Sequence, residues 1–311
     1  MTSNSTESSK VAVLLSTYNG SKFLLQQLDT LYQQTYPDIK ILARDDGSSD
    51  STKSLLENER LKGRVGVLAG SGNLGPALSF FELLRQAVLT DTDYVAFCDQ
   101  DDVWQPEKIA RAVSALSEVA NSRAAMYCSR VELVDADLKH ISFGGIPRKI
   151  GFGNALVENI ATGCTIVMNR TAIDLLCENL PSNPQMHDWW CYLVLSCFGD
   201  VIFDPVATIK YRQHGNNTIG VATNALAQYG KRFRRFFGSR KQRAWCSEHA
   251  ATFMNIYADR IPSPQRRIIT QFLAAKSSLW QRLKLVFSSD VWRQKRIDNL
   301  ILRILILINR I

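Results

Sequence analysis

Four short apolar runs, Val11–Leu15, Ile39–Ala43, Val65–Leu68 and Tyr94–Cys98, recur through the first hundred residues, with amphipathic segments between them. Each run has the length of a buried strand, and the segments between read as helices: one ending near Gln34, then Thr52–Leu61 and Pro76–Val88. Pro37 stops the first of these helices, and Pro76 suits the first turn of the third. Strand and helix alternating with short connections specify an α/β fold with a doubly wound, mostly parallel sheet. In such sheets ligands gather at the carboxyl ends of the strands. Here the loops after the first, second and fourth runs are the ones rich in Asp, Asn, Ser and Thr.

The fourth run ends in three carboxylates within four residues, Asp99, Asp101 and Asp102. Like charges at the end of a buried strand repel one another and are costly to desolvate. Magnesium or manganese, which favour oxygen ligands, would relieve that repulsion. Asp99 and Asp101 are spaced to share one ion, whereas Asp102 lies near the start of a helix and can serve as its cap. Taken alone, an Asp-X-Asp pair also reads as a solvated acidic turn, so the remainder of the chain has to decide. Gly70-Ser-Gly72 and Asn73 follow the third run rather than the first, and no P-loop lysine accompanies them. Dinucleotide and Walker-type phosphate sites are therefore excluded.

Beyond Ala124 the alternation loosens. Ala125–Val131, Thr162–Met168, Val201–Phe203 and Val206–Arg212 read as strands, Thr171–Glu178 and a segment from His187 to Phe198 as helices, and Gly144–Gly153 as a mobile loop. Seven cysteines, odd in number and without C-x-x-C spacing, suit buried thiols in a reduced compartment. Residues 1–220 carry 19 Lys and Arg against 25 Asp and Glu, whereas residues 221–311 carry 18 against 4. An acidic body thus continues into a strongly basic end. No signal peptide is evident, residues 1–9 read as a disordered polar tail, and no apolar run reaches a spanning length.

The segments VAVLLSTYNG, QTYP, ILARDDGSSDST, NLG, DYVAFCDQDDVWQPEKI, ATGCTIVMN, HDWW and YRQHGNNTIG occur in this order over residues 10–220. As a set they resemble the inverting family 2 glycosyltransferases of the GT-A fold, in particular the rhamnosyltransferase-like branch of bacterial O-antigen and capsule synthesis. The resemblance implies a GT-A domain over 10–220 and a basic helical region over 221–311. It implies that Thr17, Tyr18, Asn19 and Asp46, with Asp45, hold the base and ribose of a nucleotide-diphosphate sugar, and that Asn73 lies near the ribose or diphosphate. Asp99 and Asp101 match the family's D-x-D pair, with Asp101 and His214 as ligands of Mn2+ or Mg2+ and Asp99 shared between ion and sugar. Arg212 would meet phosphate. Asp188 matches the catalytic base, in the first turn of its helix, where the dipole favours the ionised form. Trp189 and Trp190 offer an acceptor platform or, equally, one of them belongs to the core. The implied reaction is hexosyl transfer, L-rhamnose from dTDP-rhamnose before galactose or another hexose, to a lipid-linked glycan at the inner face of the membrane. A non-catalytic nucleotide-sugar-binding scaffold is the rival of another class, and a nucleotidyltransferase a weaker enzymatic one.

The basic end has two features: Lys231–Phe237 with Arg240–Arg243, and residues 292–311. In the latter, Arg296, Asn299, Arg303 and Arg310 form a narrow polar stripe on a helix whose remaining face is Leu and Ile. That pattern suits either a helix lying on an anionic leaflet or one packed on the catalytic domain. Nucleic acid is disfavoured, because no recognition fold surrounds the basic cluster.

Overall fold

The computed structural model describes residues 9–70, 72–214 and 245–311. The tail before Ser9, the Gly215–Asn217 end of the histidine loop and the Lys231–Arg243 cluster lie outside the described residues. Strands β1 (Val11–Thr17), β2 (Ile39–Asp45), β3 (Gly66–Val67) and β4 (Tyr94–Cys98) are parallel, in the order β3-β2-β1-β4. Helices α1 (Leu24–Tyr32), α2 (Thr52–Leu61) and α3 (Pro76–Val88) connect them. These elements fall within a few residues of the positions set by the apolar periodicity, except that β3 keeps only two paired residues.

The sheet then changes character. It adds β5 (Val103–Trp104), β6 (Ala125–Val134), β7 (His140–Phe143), β8 (Val167–Asn169) and β9 (Asp200–Arg212). Strand β8 runs antiparallel to both β4 and β6, β9 is parallel to β6, and β5 is antiparallel to β9. Val201–Phe203 and Val206–Arg212 are therefore one strand rather than two. Its register against β6 jumps from Ser129↔Asp204 to Arg130↔Ala207, leaving Pro205 and Val206 unpaired. Proline cannot donate to a ladder, and a bulge accommodates it. Likewise Thr162–Met168 is not one strand: a 3-10 turn at Gly163–Thr165 precedes β8.

Alternate residues of the strands feed two cores. Val11, Val13 and Leu15 of β1 point toward α1 and α4 (Lys108–Ser117), whereas Ala12 and Leu14 point toward α3, α6 (Arg170–Glu178) and α7 (His187–Phe198). Burial on both sides explains why these strands are apolar throughout. The second core also receives Phe253, Phe272, Leu285, Leu302 and Leu305 from four helices: α8 (Trp245–Tyr257), α9 (Ser263–Ala274), α10 (Leu279–Phe287) and α11 (Arg296–Leu307). Residues 245–311 of the basic end thus pack against the sheet and share its core.

The segment read as a mobile loop is tied down from the same side. It contains a one-turn helix, α5 (Phe152–Ala155). Gln294 Oε1 accepts from the Arg148 amide at 2.8 Å, Asn154 Nδ2 donates to the Trp292 carbonyl at 3.0 Å, and Lys149 Nζ sits 4.1 Å from the Trp292 ring centroid.

Candidate active site

The carboxyl ends of β1, β2 and β4 and the start of α7 surround a cavity of about 730 Å³, a size suited to a small ligand or cofactor. Thr17, Tyr18, Asp46, Asn73, Asp99, Asp101 and Asp188 line it. Thr17 and Asp188, 171 positions apart in the chain, are brought together here. Gly20 makes the junction of the first and fourth loops possible. The Gln100 side chain pairs with the Tyr18 backbone, accepting from its N–H at 2.8 Å and donating to its C=O at 2.9 Å. A Cβ on Gly20 would stand 1.9 Å from Gln100 Oε1.

The two adjacent aspartates after β2 differ in position. Asp45 accepts from the amides of Gly47 (3.1 Å) and Ser48 (2.9 Å) and from the Thr17 hydroxyl (3.1 Å), so it closes its own turn and does not line the cavity. Asp46 lines it, yet ties β2 to α3 by accepting from Arg44 and from the amides of Leu74 and Gly75, each at 2.8 Å. A carboxylate has about four acceptor sites, so Asp46 retains capacity for a ligand N–H. Asn19, in the left-handed region at φ 48°, holds the Ser49 amide at 2.8 Å and organises the loop.

At the end of β4 the carboxylates crowd as their spacing indicates. Burial and the charges of Asp101 and Asp188 push Asp99 up to about 7. The His214 ring nitrogen Nε2 lies 2.6 Å from Asp101 Oδ2. Arg212 is buried and is not among the cavity residues. Its Nε donates to the Asp101 carbonyl at 2.7 Å, its Nη2 to Gln26 at 2.6 Å, and its guanidinium lies 4.3 Å from the Phe23 ring centroid. It therefore props the acidic loop from behind. Asp102, also buried, caps no helix: Oδ1 accepts from the Arg212 amide at 3.2 Å. Asp99, Asp102 and Cys164 offer ligand atoms within 4.8 Å of one another. Burial and neighbouring carboxylates hold the Cys164 thiol well above its ordinary value, so it stays protonated. Of the ligands the resemblance implies, Asp101 lies against His214, and a carboxylate suits a hard divalent ion better than a protonated thiol does. The acidic cavity is suited to a divalent ion. Among its described lining residues are four aspartates and no lysine or arginine.

Asp188 starts α7 and lines the opposite side of the cavity. Its carboxylate accepts from the Trp189 amide at 2.7 Å and is also held by Asn159 and the Gly163 backbone. Burial outweighs these bonds and the helix dipole, pushing the group up to about 6 rather than leaving it at an ordinary aspartate value. A base must be ionised to act. The kcat/KM is accordingly expected to fall about tenfold per pH unit below an apparent pKa near 6. A pH–rate profile that stays flat to pH 5 would remove this assignment.

Neither ring of the tryptophan pair lines the cavity, and one of them is core, the second of the two readings of that pair. Trp190 is fully buried, edge-on to His249 at 5.4 Å between centroids and packed near Phe253 and Tyr257. Trp189 is half-buried, donates from Nε1 to the Ala155 carbonyl at 2.6 Å, and does not line the cavity. Helix α7 turns both rings toward α8 and α5. Cavity-lining residues passed over in the sequence include Phe80, Asn159 and Gly163, together with His187, whose role the resemblance left undefined. Only the tertiary packing of β4, α3 and α7 brings them together.

The description "Glycosyl transferase family 2" matches residues 12–173, just over half the chain. The dTDP-rhamnosyl transferase RfbG of Shigella flexneri is 27% identical over 69% of this chain and 76% of its own length. The UDP-Glc:alpha-D-GlcNAc-diphosphoundecaprenol beta-1,3-glucosyltransferase WfgD of Escherichia coli is 29% identical over 61% and 70%. In fold, the chain is similar to S. aureus TarS in complex with UDP-GlcNAc (TM-score 0.56, 17% identity, 89% and 84% covered). It is also similar to the mannosyltransferase PcManGT of Pyrobaculum calidifontis in complex with GDP-Man and Mn2+ (TM-score 0.52, 15% identity, 92% and 85% covered). The chain belongs to the family 2 glycosyltransferases, inverting enzymes of the GT-A fold.

Proposed function

We propose that this enzyme transfers a hexose, L-rhamnose from dTDP-rhamnose by preference, to a lipid-linked bacterial surface glycan. The observation that carries the reading is the pairing of an acidic, cation-demanding wall at Asp99 and Asp101 with a buried, anchored carboxylate at Asp188 across one cavity. The similarity to RfbG supports rhamnose, and Phe80 and Pro76 give the cavity an apolar flank suited to a 6-deoxy sugar. Glucosyl or another hexosyl transfer is the second reading, favoured by the similarity to WfgD.

In this scheme Thr17, Tyr18 and Asp46 receive the base and ribose, on a loop shaped by Asn19 and Asp45. Asn73 borders the ribose or diphosphate. Asp99, Asp101 and His214 hold Mn2+ or Mg2+, with Arg212 bracing Asp101. When bound, such an ion offsets the negative charge that develops on the departing diphosphate. Asp188 takes the proton of the acceptor hydroxyl as its oxygen attacks the anomeric carbon. The bond from that carbon to the diphosphate breaks on the opposite face, its electron pair leaves with the diphosphate, and the configuration inverts. A panel of nucleotide sugars offered with Mn2+ and undecaprenyl-diphosphate-linked sugars tests the assignment. Highest turnover with dTDP-rhamnose is expected. Transfer from UDP-glucose alone would move the reading to the second one, and nucleotide-sugar formation without a glycoside would overturn it.

The C-terminal helices extend the same proposal to an anionic membrane surface. No helix among the described residues is long and apolar enough to cross a membrane. Helix α11 buries Asp298, Leu302, Leu305 and Ile306 while exposing Ile297, Leu300 and Ile304 beside Arg296 and Arg303. Leu279, Trp280 and Phe287 of α10 are exposed as well. Residues 276–311 hold eight Lys and Arg against two Asp. Apolar side chains among basic ones match a leaflet that is apolar within and anionic at its surface. Vesicles containing about 30% anionic lipid are expected to sediment the protein. Trp280→Ser with Phe287→Ser should weaken that binding about tenfold or more, since aromatic burial supplies much of it. Equal binding to neutral and anionic vesicles, or none, would contradict this part.

A further inference from the structure

His187 occupies an unusual position for an imidazole. It is buried, it lines the cavity immediately before Asp188, and among the described residues neither of its ring nitrogens has a hydrogen-bond partner. Its ring is fixed on two sides. Phe80 stacks on it at 4.0 Å between centroids and 28° between planes, and Phe97 meets it edge-on at 5.0 Å and 89°. Phe80 covers one face, and an imidazole forms its hydrogen bonds in the ring plane, at the nitrogens. Gly163 packs against that edge of the ring, where a Cβ would stand 2.8 Å from Nε2, so any larger residue would block it. Burial holds the ring neutral, so it presents one N–H donor and one bare nitrogen acceptor. Buried polar atoms ordinarily have partners, and an orphaned pair in a ligand cavity marks a place where a ligand supplies them. A hydroxyl group, both donor and acceptor, can pair with either nitrogen.

We propose that His187 is the residue that reads one hydroxyl of the transferred sugar, and so sets which hexoses the enzyme accepts. This rests on the glycosyl-transfer reading above. A sugar held between Asp99 and Asp188 lies against the wall formed by Phe80, Gly163 and His187. That wall is apolar except for the imidazole edge, so one hydroxyl on that side is recognised and the rest of the sugar is simply enclosed. Sites built to bond a substrate hydroxyl reject the analogue lacking it far more strongly than apolar pockets distinguish shapes. Asp188 handles the acceptor's proton, whereas His187 positions the donor.

The test compares wild type, His187→Phe and His187→Gln with the preferred donor and its singly deoxygenated analogues, measuring kcat and donor KM separately. In the wild type, loss of one hydroxyl is expected to lower kcat/KM by about 10- to 100-fold. In His187→Phe, which keeps the ring stack, that penalty should fall below about threefold while penalties at other positions persist. His187→Gln, which retains a donor and an acceptor, should restore part of it. An unchanged analogue profile in both variants would overturn the inference, as would a change confined to deoxygenated acceptors. Should His187→Phe fail to fold, as read by its thermal transition, the profile of His187→Gln decides by the same criterion. Absence of transfer by the wild type from every donor would fault the glycosyl-transfer reading instead.

Discussion

Replacing Asp188 with asparagine is expected to lower kcat by about three to four orders of magnitude while donor KM stays within about threefold. Asparagine keeps the shape and can still accept from the Trp189 amide, but it cannot take a proton. The same variant should be more stable at neutral pH. Asp188 titrates near 6 in the folded protein and at its ordinary lower value in the unfolded chain. Folding therefore favours the protonated form, and ionised Asp188 destabilises the native state above pH 6. That cost disappears as the pH falls through 6 toward 4, because the folded protein then takes up its proton first. A shift from 3.8 to about 6 corresponds to a ceiling of about 3 kcal/mol. Thermal melts at pH 8 should thus place Asp188→Asn a few degrees above wild type, with the gap closing near pH 4. A large fall in Tm at pH 8 would mean that the carboxylate is there to support the fold.

Asp101→Ala carries the second large effect. Chelation of divalent ions should abolish wild-type transfer, and Mn2+ should restore it. In the variant, the Mn2+ concentration giving half-maximal activity should rise about 100-fold or more, since the carboxylate that faces His214 is gone while the backbone carbonyl that holds Arg212 remains. The reason is electrostatic. A diphosphate entering a cavity lined by four aspartates, with no described lysine or arginine among its walls, would be repelled unless a cation were bound there. Binding of the nucleoside without its phosphates should change little, because Thr17 and Tyr18 lie on a separate loop. Full activity of Asp101→Ala in the presence of EDTA would dismiss the cation from the reaction.

Much of this arrangement is written locally in the chain. The alternation of apolar runs and amphipathic segments places β1 to β4 and α1 to α3. Strand ends rich in Asp and Asn then identify the face at which a ligand gathers, and Asp99, Asp101 and Asp188 do meet there. What the chain does not write locally depends on packing between distant segments. Trp189 and Trp190 are adjacent letters, yet their directions follow from α8, whose His249 and Phe253 draw Trp190 into the core. Asp45 and Asp46 look equivalent until the loop before α3 claims Asp46 from outside its own turn. The raised pKa of Asp188 comes from burial, which outweighs the bonds from Asn159 and the Gly163 backbone, whereas its place in the first turn of a helix argues only for the ionised form. Helix α11 has apolar residues nearly all round because one side joins the core and the other remains exposed.

The central claim is that a cation and a nucleoside diphosphate occupy the cavity between the β4 carboxylates and Asp188. Anomalous diffraction at the manganese edge from crystals grown with Mn2+ and TDP addresses it directly. The expected result is one strong peak bonded to Asp101 and to the diphosphate, with the base against the Thr17–Tyr18 loop. A peak held by Asp102 and Cys164 alone, or a nucleotide bound outside this cavity, would contradict it.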